Sequence, residues 1–79
     1  MDNNIGWAVE QLRRGNRIAR SGWNEMWLFL VPGGFKYPAH NGEEKEMMPY
    51  VLMKTADDKI VPWLCSQSDL LANDWVKVI

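Results

Sequence analysis

A chain of 79 residues has room for one compact domain and none for separate catalytic and regulatory halves. With 47% hydrophobic and 24% charged residues it has an ordinary globular balance, which excludes a disordered or collagen-like polypeptide. A formal charge of −1 and a pI near 5.7 disfavour a protein that holds long nucleic acid by counterion release. In chain order, Asn3 or Asn4 is placed to cap a helix, because Ile5, Ala8, Val9 and Leu12 follow at the spacing of one apolar helical face. Gly15 is the expected residue just past its end. Arg17-Ile18-Ala19-Arg20 predicts a short strand that Ser21-Gly22 breaks, and Met26 to Val31 predicts the central strand, ended by Pro32-Gly33-Gly34. Both faces of that strand are expected to be covered.

Residues 33–48 hold three of the six glycines, Pro38 and the acids Glu43, Glu44 and Glu46, and predict the longest loop of the chain, mobile and placed as a ligand lid. Tyr50 to Thr55 and Ile60 to Leu64 predict a hairpin joined by Ala56-Asp57-Asp58-Lys59. Pro62 has no N–H to donate, which places its strand at an edge or at a bulge. Ser66-Gln67-Ser68-Asp69 has the spacing of a capping box before one helical turn, and Asp74 to Ile79 predicts the last strand. The sum is an α+β fold, with an N-terminal helix packed on a small antiparallel sheet and a helical turn before the last strand.

A core this small rarely supplies more than ~3–5 kcal/mol. The lone Cys65 forms no intrachain disulfide, and Cys65 with the single His40 is too small a ligand set for structural zinc, so no metal is expected. Association with further copies is the remaining device. An unpaired cysteine and a start without the charged and apolar parts of a signal peptide imply a reducing cytoplasm, and no apolar run is long enough to span a bilayer. Charge is unevenly spread: residues 1–24 carry Arg13, Arg14, Arg17 and Arg20 against Asp2 and Glu10, whereas residues 25–79 carry five lysines against eight acids. This gives the chain a local basic edge.

Nothing in the residues suggests catalysis. His40 has no evident partner, Cys65 follows an apolar run as a small buried hydrophobe does, and the glycines form neither a GxGxxG nor a P-loop, so no cofactor is expected. The anomaly is five tryptophans. Trp7 and Trp75 are read as core. Trp23 lies in the Ser21–Asn24 loop, where periodicity does not require burial, and is read as needing a partner surface. Trp27 and Phe29 share one face of their strand, and Trp63 lies beside the polar run Ser66 to Asp69. Aromatic walls with hydroxyl and amide groups nearby suit a nucleotide-like small molecule, stacking being worth ~1–3 kcal/mol per base. The bland alternative makes Trp27, Phe29 and Trp63 ordinary core residues. Arg17 and Arg20, read as sharing one strand face, are candidate phosphate contacts, with a solvated face as their alternative.

These blocks, Arg20-Ser21-Gly22-Trp23-Asn24, Met26-Trp27-Leu28-Phe29-Leu30, Pro49 to Asp57, Val61 to Leu71 and Asp74-Trp75, resemble in order and spacing the Thoeris anti-defence 2 family of phage proteins over nearly the whole chain. Cys65 and Ser68 stand where the family pattern has a small residue and often Thr. The resemblance implies a homo-oligomer, a tetramer, that sequesters cyclic ADP-ribose-type signals such as glycocyclic ADP-ribose in pockets shared by two subunits, without cleaving them, in the host cytoplasm. It also implies cyclic-oligonucleotide binding at a separate site in some relatives. Carried onto this chain, it assigns adenine stacking to Trp23 and to Trp27 or Phe29, ribose and phosphate contacts to Asn24, Ser66, Gln67 and Asp69, and a wall to Trp63. The competing readings are a single-stranded nucleic-acid binder using the four arginines, a purely structural phage protein, and a hydrolase of the signal.

Overall fold

In the computed structural model, which describes residues 3–79, the chain runs through α1 (Ile5–Arg13), β1 (Arg17–Arg20), β2 (Trp27–Val31), β3 (Lys36–Pro38), a 3-10 turn (His40–Gly42), β4 (Glu44–Glu46), β5 (Tyr50–Lys54), β6 (Ile60–Pro62), α2 (Gln67–Leu70) and β7 (Trp75–Val78). Both ends of α1 are closed by the residues that the sequence nominates. The Asn4 side chain accepts from the Trp7 N–H at 3.0 Å. At the other end the Gly15 N–H reaches Leu12 O and the Asn16 N–H reaches Gln11 O, each at 3.0 Å, with Gly15 at φ +86°. This is the Schellman arrangement, and it needs a residue without Cβ at the left-handed position.

The five-stranded sheet is antiparallel, in the order β6-β5-β2-β1-β7. The expected α+β class, the central position of β2 and the edge position of the Pro62 strand are all present. Ile18 opposite Leu28 and Leu30 opposite Val51 lie on the side that α1 covers. There Ala8, Leu12, Ile18, Leu28 and Trp75 form the buried core, with Ile5, Trp7, Trp23, Leu30, Val51, Met53, Trp63 and Ala72 packed against it.

The other side differs from expectation. No element of the described chain covers it, although strand alternation gives it Trp27, Phe29, Val31, Leu52, Val76 and Val78 with only Arg17 and Lys54 as charged members. Residues 33–48 also depart from the loop that their composition suggests. They fold as a two-stranded arm, with Lys36 opposite Glu46, Tyr37 opposite Lys45 and Pro38 opposite Glu44. Both strands are exposed on both faces, so they carry no apolar alternation to betray them. The arm turns through Asn41 (φ 62°) and Gly42 (φ 76°). At its base Gly33 is obligatory, since a Cβ there would come within 2.8 Å of Met47 O and 2.9 Å of Pro49 Cδ.

Leu28 is fully buried on the central strand. Leu28→Ala is expected to cost about 3 kcal/mol through lost transfer energy and a residual cavity. Urea unfolding should show a lowered midpoint at an unchanged slope, and an unaltered midpoint would contradict the placement of the core.

Candidate functional site

The aromatic side chains singled out by the sequence fall into two groups on opposite sides of the sheet. On the helix-covered side, Trp75 is fully buried and receives two indoles edge-on. Trp23 meets it at 5.5 Å between ring centroids and 78° between planes, and Trp63 at 6.0 Å and 90°. Edge-to-face contact suits the ring quadrupoles, which disfavour a face-to-face sandwich. Trp23, expected to need a partner surface, thus finds one within its own chain, while remaining only half buried. Asn24 beside it is exposed. The following Glu25 holds the left-handed conformation at φ 61° and offers its carbonyl to Lys54 Nζ at 3.0 Å.

A polar network borders the indoles. Ser66 caps α2, its Oγ accepting from the Asp69 N–H at 3.1 Å and lying 3.1 Å from Ser68 Oγ. The Asp69 side chain does not return to the cap. Arg20 Nη1 donates to Asp69 Oδ1 at 2.8 Å and Arg20 Nε to Asp74 Oδ1 at 2.6 Å, while Ser21 Oγ donates to Asp74 Oδ2 at 3.1 Å. The Trp75 indole N–H donates to Asp69 O at 3.2 Å. These bonds hold the Asp74 carboxyl below the usual carboxylate range, chiefly through Arg20 and further through Ser21. They raise the Arg20 guanidinium in turn, Asp74 contributing more than Asp69. Gln67 opens α2 and is exposed. Burial, with the negative charge of Asp69 adding to it, pushes the Cys65 thiol up, which keeps the sulfur protonated and a poor nucleophile.

On the uncovered side Trp27 and Phe29 lie 5.5 Å apart at 60°, and the Arg17 guanidinium stands 4.9 Å from the Trp27 ring centroid, within cation–π reach. Neither ring belongs to the buried cluster or to the residues packed on it, so the core alternative holds for Trp63 and not for this pair. The expectation that Arg17 and Arg20 share a face is overturned. Three residues apart on a strand of period two, they lie on opposite faces, Arg17 with Trp27 and Arg20 with the carboxylates. A cavity of about 380 Å³ lies between α1 and the sheet, lined by Val9, Leu12, Arg13, Leu30, Val51 and Trp63 among others. Of these only Trp63 is among the ligand-site residues that the sequence nominates. Arg13 follows Val9 by four residues, so its helical spacing could have placed it at the rim.

Residues 3–78 match the family model described as the Thoeris anti-defense 2-like domain. The chain belongs to that family. A curated relative, the protein of Bacillus phage SP01 named Thoeris anti-defense 2, is 39% identical over an alignment of 80 residues that covers 90% of this chain and 89% of its own. The chain is thus a Thoeris anti-defense protein. No helix among the described residues is long and apolar enough to cross a membrane.

The depressed Asp74 carboxyl gives a signed pH dependence. Its contribution to stability is fully present above the unfolded-state value, about 3.9 for Asp, and is lost as pH falls through the folded-state value. The difference in urea midpoint between the native protein and Asp74→Asn is expected to stay constant from neutral pH to about pH 5 and to shrink below about pH 4. A difference that grows on acidification would contradict the Arg20–Asp74 pairing.

Proposed function

We propose that this protein is a phage-encoded sponge that binds a cyclic ADP-ribose-type signalling nucleotide such as glycocyclic ADP-ribose in the host cytoplasm. It holds the signal uncleaved, so that the Thoeris effector is not activated. The observation that carries the reading is the Trp27–Phe29 pair on an uncovered sheet face with the Arg17 guanidinium 4.9 Å from the Trp27 ring. A stacking surface and a permanent cation side by side match a ligand that joins a flat heteroaromatic base to phosphate. Trp23, Asn24, Trp63, Ser66, Gln67 and Asp69 supply the complementary wall and the polar contacts.

Within one chain these two groups lie on opposite sides of the sheet, so one ligand meets both only where two copies come together. That supports a homo-oligomer, a tetramer in the fullest form, with sites shared between subunits. The apolar composition of the uncovered face supports it again. An exposed antiparallel sheet face ordinarily alternates to polar residues, whereas this one offers Trp27, Phe29, Val31, Leu52, Val76 and Val78. A single-stranded nucleic-acid reading has less support, because Arg17 and Arg20 lie on opposite faces and form no continuous stripe. The protonated Cys65 thiol favours sequestration over nucleophilic cleavage.

Calorimetric titration with glycocyclic ADP-ribose, followed by heat denaturation and chromatography of the released small molecule, tests the reading. Tight binding with intact ligand recovered is the expected result, with affinity lost about tenfold or more in Trp27→Ala. Absence of heat at high protein concentration, or a degraded product, would remove the proposal. Leu52→Lys, placed on the uncovered face, is expected to convert an oligomer to monomer in sedimentation. Native protein that already sediments as a monomer would contradict the shared site.

A further inference from the structure

The Arg20 guanidinium joins three parts of the chain that are distant in sequence: β1, the α2 turn through Asp69, and the connection to β7 through Asp74, at 2.8 and 2.6 Å. The indoles and the Ser66 hydroxyl on the helix-covered side of the proposed site connect to these two anchor points. The carbonyl of Asp69 receives the Trp75 indole N–H, and Trp75 is the ring against which Trp23 and Trp63 both pack. The N–H of Asp69 is held by Ser66 Oγ, so the same residue fixes the hydroxyl edge Ser66–Ser68. The Asp74 carbonyl accepts from the Ser21 N–H at 3.1 Å, and the Arg20 carbonyl from the Trp23 N–H at 2.9 Å, which ties the start of the Trp23 turn to the same point.

We infer that Arg20 is the positioning residue of the proposed nucleotide site: its fork fixes α2 and Asp74 so that Trp23, Trp63 and the Ser66–Asp69 edge keep one mutual geometry. The inference rests on the signal-binding reading for what the geometry serves, and it departs from that reading's expectation of Arg20 as a phosphate contact. Two of the guanidinium nitrogens are engaged with carboxylates, and the cluster of Arg20, Asp69 and Asp74 carries one cation against two anions. A phosphate is disfavoured beside that balance and a hydroxyl donor is favoured. Asp69 Oδ1 is engaged by Arg20, and no partner among the described residues bonds Oδ2. This end of the site is therefore suited to the sugar hydroxyls of the ligand, and Arg17 on the other group to its phosphate. Lysine cannot replace Arg20, because a single ammonium point charge does not reproduce a planar fork that spans two carboxylates.

The test compares Arg20→Lys and Arg20→Met with native protein by two readouts. In the ligand-free protein, the near-ultraviolet circular dichroism of the coupled indoles is expected to change in both variants, with far-ultraviolet signal retained. An unchanged spectrum in both would overturn the inference, since a group that only contacts phosphate leaves the empty site undisturbed. In calorimetry with glycocyclic ADP-ribose, both variants are expected to lose about tenfold or more in affinity, and Arg20→Lys binding as well as native protein would overturn it. Gly15→Ala serves as the control for general destabilisation: with φ +86° and nothing within 4 Å of an added Cβ, it is expected to lower the melting temperature through backbone strain while leaving the indole spectrum of the folded protein in place. If the variants do not fold, Asp69→Asn replaces them, keeping the shape and weakening one arm of the fork, with the same two readouts. Should native protein take up no glycocyclic ADP-ribose, the signal-binding proposal fails and the indole spectrum alone decides the positioning role.

Discussion

A single helix of nine residues is about 14 Å long, while five strands span about 19 Å between the outermost two. One such helix covers one face of such a sheet and leaves the other to solvent or to a partner. The rest of the molecule follows from that shortfall. The covered side collects a small set of fully buried side chains around Trp75, and the half-buried indoles Trp23 and Trp63 complete it from the rim. On the uncovered side, the apolar residues have nothing in their own chain to rest on. A chain of this size has no third layer to add, so an apolar second face points to association.

Tryptophan is used in two distinct ways under this constraint. Trp75 fills volume that a short chain would otherwise need several aliphatic residues to fill, and its polar N–H is satisfied by Asp69 O, as burial of an indole requires. Trp27 fills no core. Its neighbours are Phe29 and the Arg17 guanidinium, so its surface is held at the edge of water in a fixed orientation. The first use stabilises the fold, and the second leaves an aromatic surface on which the proposed ligand would cost little further side-chain entropy.

What the sequence made legible follows period and local chemistry. The face of α1, the Asn4 and Ser66 caps, the Gly15 stop, the hairpin of β5 with β6 and the shared parity of Trp27 and Phe29 all depend on residues within a few positions of one another. What it hid depends on contacts between distant positions or on the absence of burial. Lys36-Tyr37-Pro38 and Glu44-Lys45-Glu46 are strands without a buried face, so no alternation marked them. The pairing of Trp23 with Trp75 and of Arg20 with Asp74 spans more than fifty positions and has no local signature. The expectation that Arg17 and Arg20 share a face fails on local grounds alone, since a separation of three residues on a strand puts them on opposite faces.

Overall charge says little about how such a protein would take an anionic ligand. A net charge of −1 argues against holding a polyanion, whose binding depends on many neutralised phosphates and the counterions they release. A small nucleotide makes no such demand. It needs one well-placed cation beside a ring, and local arrangement decides whether that exists: Arg17 stands on a face whose only other charge is Lys54, itself engaged with Glu25 O and near Asp58. Two carboxylates, Asp69 and Asp74, lie on the other side, gathered by Arg20. The sheet thus separates a cationic aromatic surface from an anionic polar one. Copies packed together would bring the two face to face, which suits a ligand with phosphate at one end and sugar hydroxyls at the other better than it suits either a long strand of nucleic acid or a neutral metabolite.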